Sequence, residues 1–149
     1  MKNNKYYRVY AEINLDAIVK NVDNLMALTK ENTGALAVVK ADGYGHGDVA
    51  VAKAVAQKVT GYAVATLDEA VNLRENGVKK PILVLGYVDP YEFDILVSHE
   101  ITATVFDVET AQLLADAARV QKKQAHCHIK VDTGMRRIGL EPDENGIAL

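Results

Sequence analysis

An α/β fold with parallel strands is predicted from three observations. Short apolar segments of strand character alternate with longer segments of helical period. Five of the apolar segments, 35–40, 61–65, 82–86, 101–106 and 125–132, are separated by helical stretches, the connection that parallel strands require. One of them ends in a lysine, Lys40, and the stretch "AVVKADGYGHG" (37–47) then places three alternate glycines in the next turn. That combination fits a ligand site at the carboxyl end of a parallel sheet.

The elements follow in order. "YRVYAEI" (7–13) alternates as a strand. "LDAIVKNVDNLMALTK" (15–30) carries Ile18, Val22, Leu25 and Thr29 at helical spacing, so it reads as an amphipathic helix. After the strand at 35–40, the alanine-rich stretch 48–59 reads as a helix. Thr66 and Glu69 form a capping box that opens another, and Gly77 stops it. "DPYEFDILVSHE" (89–100) is a short helix, and Asp107 is a fitting N-cap for the helix that begins at Val108. No low-complexity segment or domain linker interrupts the chain.

Two architectures fit this order, an open doubly wound sheet and a (β/α)8 TIM-type barrel of which this chain holds the N-terminal part. Side-chain parity bears on the choice. In 125–132 the even positions are His126, His128, Lys130 and Asp132, and alternate side chains of a strand share a face. Four polar groups under apolar helices are costly, but they suit a barrel interior whose upper end is a polar site. An edge strand with one wet face is the alternative. The barrel is the expected fold: about five parallel strands with intervening helices, incomplete in this chain.

The bulk composition narrows the function. The 149 residues are 49% hydrophobic and 25% charged, an ordinary balance for a chain with one core. A net charge of -3 speaks against nucleic acid or an anionic membrane as the main partner. The single cysteine, Cys127, cannot close an internal disulfide, which suits a reducing compartment. No apolar run approaches the ~20 residues of a membrane span, and "MKNNKYYRVYAEI" lacks the apolar core of a signal peptide. A cytoplasmic location is expected.

The site chemistry begins at Lys40. A lysine amine partly removed from water holds its proton less tightly and becomes a nucleophile near neutral pH. Such an amine can hold an aldehyde cofactor. Position alone favours a lysine that simply snorkels to solvent; Gly43, Gly45 and Gly47, which let the backbone approach a ligand, tilt the balance. Asp48 opens a helix whose N-terminus would favour a phosphate, although the aspartate itself would oppose one. Tyr44 offers a hydroxyl. The second segment is "HIKVDTGMRRIGL" (128–140), with Lys130 in the strand and Arg136 and Arg137 beyond a turn. An arginine there can grip a phenolate or carboxylate, or it can be part of a solvated basic loop. Lys130 pointing inward beside Lys40 would need its charge offset, since like charges at ~4 Å repel by ~4 kcal/mol at an effective dielectric of about 20. A deprotonated lysine, Asp132 or an anionic modified lysine would each serve.

Together, "AVVKADGYGHG", "HIKVDTGMRRIGL" and the opening "AEINLDAIVKNVDNL" closely resemble the alanine racemase family, over essentially the whole stretch from Tyr10 to Leu140. The resemblance implies a pyridoxal 5'-phosphate enzyme of fold type III on a (β/α)8 barrel followed by a β-rich domain. It also implies a homodimer that supplies D-alanine for cell-wall peptidoglycan. Lys40 matches the lysine that carries the cofactor and then acts as one of two catalytic bases. Tyr44 matches the tyrosine that contacts the cofactor phosphate. Arg137 matches the arginine near the cofactor's phenolic oxygen and the substrate carboxylate, and Arg136 stands at the variable position before it. Lys130 matches a lysine that many members carry as a carbamate, which would turn a crowded cation into an anion. No metal is implied.

By the same resemblance, residues 1–14 hold an N-terminal strand that packs with the C-terminal β domain, and 15–149 form a partial barrel. The rest of the barrel, that domain and the second base, a tyrosine from the partner subunit, are expected to be absent from this chain. The chain alone is expected to be inactive. A racemase for serine or another small amino acid and a non-catalytic cofactor-binding module are the competing readings.

Overall fold

The structure is a computed structural model that describes residues 8–147. Five parallel strands lie side by side in chain order: β1 (Leu36–Val38), β2 (Gly61–Val64), β3 (Ile82–Val84), β4 (Thr102–Val105) and β5 (His126–Ile129). A doubly wound sheet reverses its strand order at a switch point. A strictly sequential order with helical crossovers is the winding of a (β/α)8 barrel, so the open-sheet alternative falls.

Six of the helices are α1 (Leu15–Met26), α3 (Asp48–Ala54), α4 (Leu67–Glu75), α5 (Phe93–Ser98), α6 (Val108–Val120) and α7 (Glu144–Ile147). The seventh, α2 (Lys40–Gly45), is a single turn of the opposite hand and belongs with the site. Local chemistry sets most of the starts. Asn14 accepts the Ala17 amide at 3.0 Å and opens α1. The capping box of Thr66 and Glu69 is formed at the head of α4. Asp107 accepts the Thr110 amide at 2.6 Å and opens α6. Gly77, with φ of 88°, ends α4 by letting the Val78 amide return to the Leu73 carbonyl at 3.0 Å.

The two faces of the sheet have different company. Val39, Tyr62, Val64, Ile82, Val84, Ala103 and Val105 pack with Val55, Leu67, Leu73, Leu96 and Leu114 of the helical layer into one core. The opposite face is read off the register, which sets Val38 beside Ala63, Ala63 beside Leu83, Leu83 beside Thr102 and Thr102 beside His126. Ala63, Leu83 and Thr104 are buried on that face outside the helical core. Thr104 satisfies its hydroxyl there by donating to the Val84 carbonyl at 2.6 Å. β2 and β3 are buried on both faces, as parallel strands require.

Several expectations need correction, and the helix expected over 48–59 already ends at Ala54. The strand at 7–13 is not formed over its described part, 8–13; an extended segment becomes a strand only through a ladder partner, and none of the five strands pairs with it. Tyr7 lies outside the described residues. α1 stops at Met26, and Leu25 is 65% exposed, because α1 rests on the core through Leu15, Ile18, Val19 and Val22 only. β1 ends at Val38: Val39, at φ -120° and ψ 20°, has already left extended backbone. β5 is an edge strand among the described residues, and all four of its side chains are exposed, so neither of its faces is covered.

Candidate active site at the carboxyl ends of the strands

Lys40 stands where β1 gives way to a left-handed turn. Ala41, Asp42, Gly43 and Tyr44 have φ between 52° and 60° and ψ between 36° and 51°, the values of a left-handed helix. An L-residue loses about 1–2 kcal/mol in this region, and Ala41, Asp42 and Tyr44 all bear that cost. Compensating bonds surround the turn. The Gly43 amide donates to the Val39 carbonyl at 2.9 Å, and the Gly47 amide to the Asp42 carbonyl at 2.8 Å. The Ala41 amide donates to Glu69 Oε1 at 2.7 Å, from a residue 28 positions away. Gly43 is buried, and a Cβ built on it would meet the Asp48 backbone nitrogen at 3.2 Å.

The turn brings Lys40 and Tyr44 together. The Lys40 ammonium lies 5.9 Å from the centre of the Tyr44 ring, within cation–π range. Lys40 is half-buried and Tyr44 is 60% exposed, and the Tyr44 hydroxyl makes no hydrogen bond among the described residues. An amine and a free phenol therefore open on one side of the turn. That donor set fits a phosphorylated aldehyde, with the amine for the carbonyl carbon and the phenol for a phosphate oxygen.

The N-terminus of α3 is differently employed from what its sequence suggests. Its first two amides are already taken: Asp48 N–H donates to Asp42 Oδ1 at 3.1 Å, and Val49 N–H to Asp48 Oδ1 at 2.6 Å. Asn72 holds the other Asp48 oxygen at 2.8 Å. Two carboxylates stand where a phosphate was expected, so the glycine loop serves the placement of Lys40 and Tyr44 instead.

Lys130, Asp132 and Arg137 follow one another at and beyond the carboxyl end of β5. The Lys130 amide extends the ladder by donating to the Val105 carbonyl at 2.8 Å. The chain then loops out and returns, since Asp132 N–H donates to the Leu140 carbonyl and Leu140 N–H to the Lys130 carbonyl, each at 2.8 Å. Inside the loop Asp132 Oδ1 accepts the amides of Gly134 at 2.8 Å and Arg136 at 3.0 Å. The Arg136 amide first, then that of Gly134, hold the Asp132 carboxyl below its usual range, while partial desolvation opposes them. Arg136 and Arg137 are exposed. Among the described residues no carboxylate lies within ion-pair distance of Lys130.

β1 and β5 are the two edges of the described sheet, so the two sets of residues sit four strand spacings apart, roughly 19 Å along the sheet surface. In a closed ring of eight strands the first and the fifth stand opposite each other. Glu69 was legible only as half of a capping box; its second bond joins distant parts of the chain. Asp42, which caps α3 through its side chain, carried no sequence signal beyond its place in a polar turn.

A sequentially wound parallel unit with helical crossovers and a lysine just beyond its first strand defines a class: the N-terminal part of a (β/α)8 barrel. The chain matches the family described as alanine racemase, N-terminal domain, over residues 13–149, and it belongs to that family. It is 43% identical, over a 150-residue alignment that takes in the whole chain, to alanine racemase 1 of Oceanobacillus iheyensis, of which it spans 40%. The structure of an alanine racemase of Clostridium difficile 630 in complex with cycloserine matches 96% of the chain and 40% of that protein. Its TM-score is 0.91, with 41% identity. The histidine racemase of Leuconostoc mesenteroides subsp. sake matches 84% of the chain and 34% of its own length, with a TM-score of 0.77 and 30% identity. The chain thus spans about two fifths of the length of the relative first compared.

Proposed function

We propose that this chain provides the cofactor-bearing part of an enzyme that interconverts L- and D-alanine with pyridoxal 5'-phosphate. The observation that carries the reading is the left-handed turn that sets the Lys40 ammonium 5.9 Å from the centre of the Tyr44 ring. When bound, the cofactor supplies an electron sink that makes the substrate's α-proton acidic. Lys40 holds the cofactor and then accepts or returns the α-proton on the face it reaches. Tyr44 donates its hydroxyl to the cofactor phosphate. Arg137 orients the phenolic oxygen and the substrate carboxylate with its planar fork. Inversion needs a proton donor on the opposite face, and a second copy of the protein supplies it in the homodimer we propose. Lys130, which forms no ion pair among the described residues, is proposed to become an anion by reacting with carbon dioxide: its neutral amine bonds the carbon and releases one proton.

Borohydride reduction of the native-length protein with pyridoxal phosphate tests the reading. The label is expected on the peptide containing Lys40, and D-alanine formation is expected to vanish in Lys40→Ala. Label on another lysine overturns the assignment. The likeness to a histidine racemase favours a second reading, racemisation of a different amino acid. A panel of L-amino acids, followed by chiral separation of the products, decides between them.

A further inference from the structure

One carboxylate ties together the ends of two strands beside Lys40. Glu69 Oε2 accepts the Ala65 amide at 2.7 Å and the Thr66 amide at 3.3 Å, just beyond β2. Glu69 Oε1 accepts the Ala41 amide at 2.7 Å, just beyond β1. Ala41 follows Lys40 and is the first of the four left-handed residues. Its amide is the opening donor of that turn, a position that has no acceptor within the turn itself.

We propose that Glu69 is a positioning residue for the cofactor lysine. Its bond fixes the peptide plane between Lys40 and Ala41, and thereby the direction in which the Lys40 side chain leaves the backbone. It also holds Ala41 in the left-handed basin from which the turn brings Tyr44 beneath the Lys40 ammonium. Because the same carboxylate is anchored on β2 and at the head of α4, the turn takes its orientation from the sheet. This role rests on the reading of Lys40 as the cofactor-bearing residue.

The test uses the native-length protein and three variants. Glu69→Ala removes both oxygens. Glu69→Gln keeps the shape but leaves one acceptor oxygen for donors on two sides. Thr66→Ala breaks the capping box from its other side, since Thr66 Oγ1 accepts only the Glu69 amide, and spares the bond to Ala41. Amide hydrogen exchange at Ala41 and Gly43 is measured without cofactor. The rate of borohydride trapping of pyridoxal phosphate on Lys40 is measured separately.

Glu69→Ala is expected to speed exchange at both amides and to slow trapping, each by about tenfold, the scale of one charge-assisted hydrogen bond. Glu69→Gln should fall between it and the native protein, and Thr66→Ala should leave both readouts at the native level. If Glu69→Ala cannot be folded, the same comparison stands on Glu69→Gln. Trapping that is native in the glutamate variants, or equally slowed in Thr66→Ala, overturns the proposal. Label that persists in Lys40→Ala overturns the lysine assignment instead, while the exchange data still report the clamp.

Discussion

Asp132 Oδ1 accepts the amide of Arg136 at 3.0 Å and so gathers the loop that carries Arg137. The bond favours the ionised carboxylate, and the folded pKa is depressed. The loop's stabilisation is therefore fully present above the unfolded aspartate value of about 3.9 and is lost as pH falls through the lower folded value. Amide exchange at Gly134 and Arg136, corrected for its intrinsic pH dependence, should lose protection only in that acid window. Asp132→Asn should remove this pH dependence while the sheet stays folded.

Gly139 is predicted to tolerate no side chain. A Cβ there would lie 2.5 Å from the Asp132 backbone nitrogen, and its φ of 142° is one that L side chains rarely adopt. Gly139→Ala should open the base of the 132–139 loop, where the Asp132 amide donates to the Leu140 carbonyl and the Leu140 amide to that of Lys130. Limited proteolysis should then cut within the loop, with little change in circular dichroism. Unchanged resistance to protease would contradict this.

Arg74 is predicted to be the main fastener at the amino ends of the strands. It donates from Nε to the His99 carbonyl at 2.9 Å, from Nη1 to those of Val78 and Lys80 at 2.8 Å, and from Nη2 to Glu100 at 2.9 Å. Arg74→Ala strands four acceptors, part of which water can reach, and should cost about 2–3 kcal/mol in denaturant unfolding. Arg74→Lys should recover less than half, because an ammonium cannot fill the four directions of a guanidinium. Neither should change which lysine pyridoxal phosphate labels.

Tyr44→Phe should leave labelling at Lys40 intact and weaken cofactor retention by about 1.5–3 kcal/mol, one hydrogen bond to a charged group. Dialysis followed by absorbance of the retained cofactor measures it. Lys130→Ala should lower activity, with partial rescue by acetate. An activity equal to that of the native protein would remove the proposed anion.

The local features of this fold were plain in its sequence, and the long-range ones were not. Thr66 and Glu69 announce a helix start because both partners of the box lie within one turn. The same is true of Asp107 and Gly77. The handedness after Lys40 was only half visible. Gly43, Gly45 and Gly47 signalled positive φ, but Ala41, Asp42 and Tyr44 have ordinary preferences and are held there by partners elsewhere in the fold. The lysine itself and the residues at 130 and 137 stood out as chemistry. Their division between opposite edges is set by strand order, which periodicity does not encode. The segment 8–13 shows the converse: its alternation is real, but a strand is a pairing and alternation supplies only one member.

The turn after Lys40 has a stereochemical consequence. Ala41 sits in the mirror image of the conformation its own chirality prefers, with φ 52° and ψ 51°. For the enantiomeric residue the same angles are the ordinary helical minimum. A semisynthetic chain with D-alanine at position 41 would keep the amide that Glu69 holds and relieve the clash of Cβ with its own carbonyl. In this one turn the product of the proposed reaction is a better building block than its substrate.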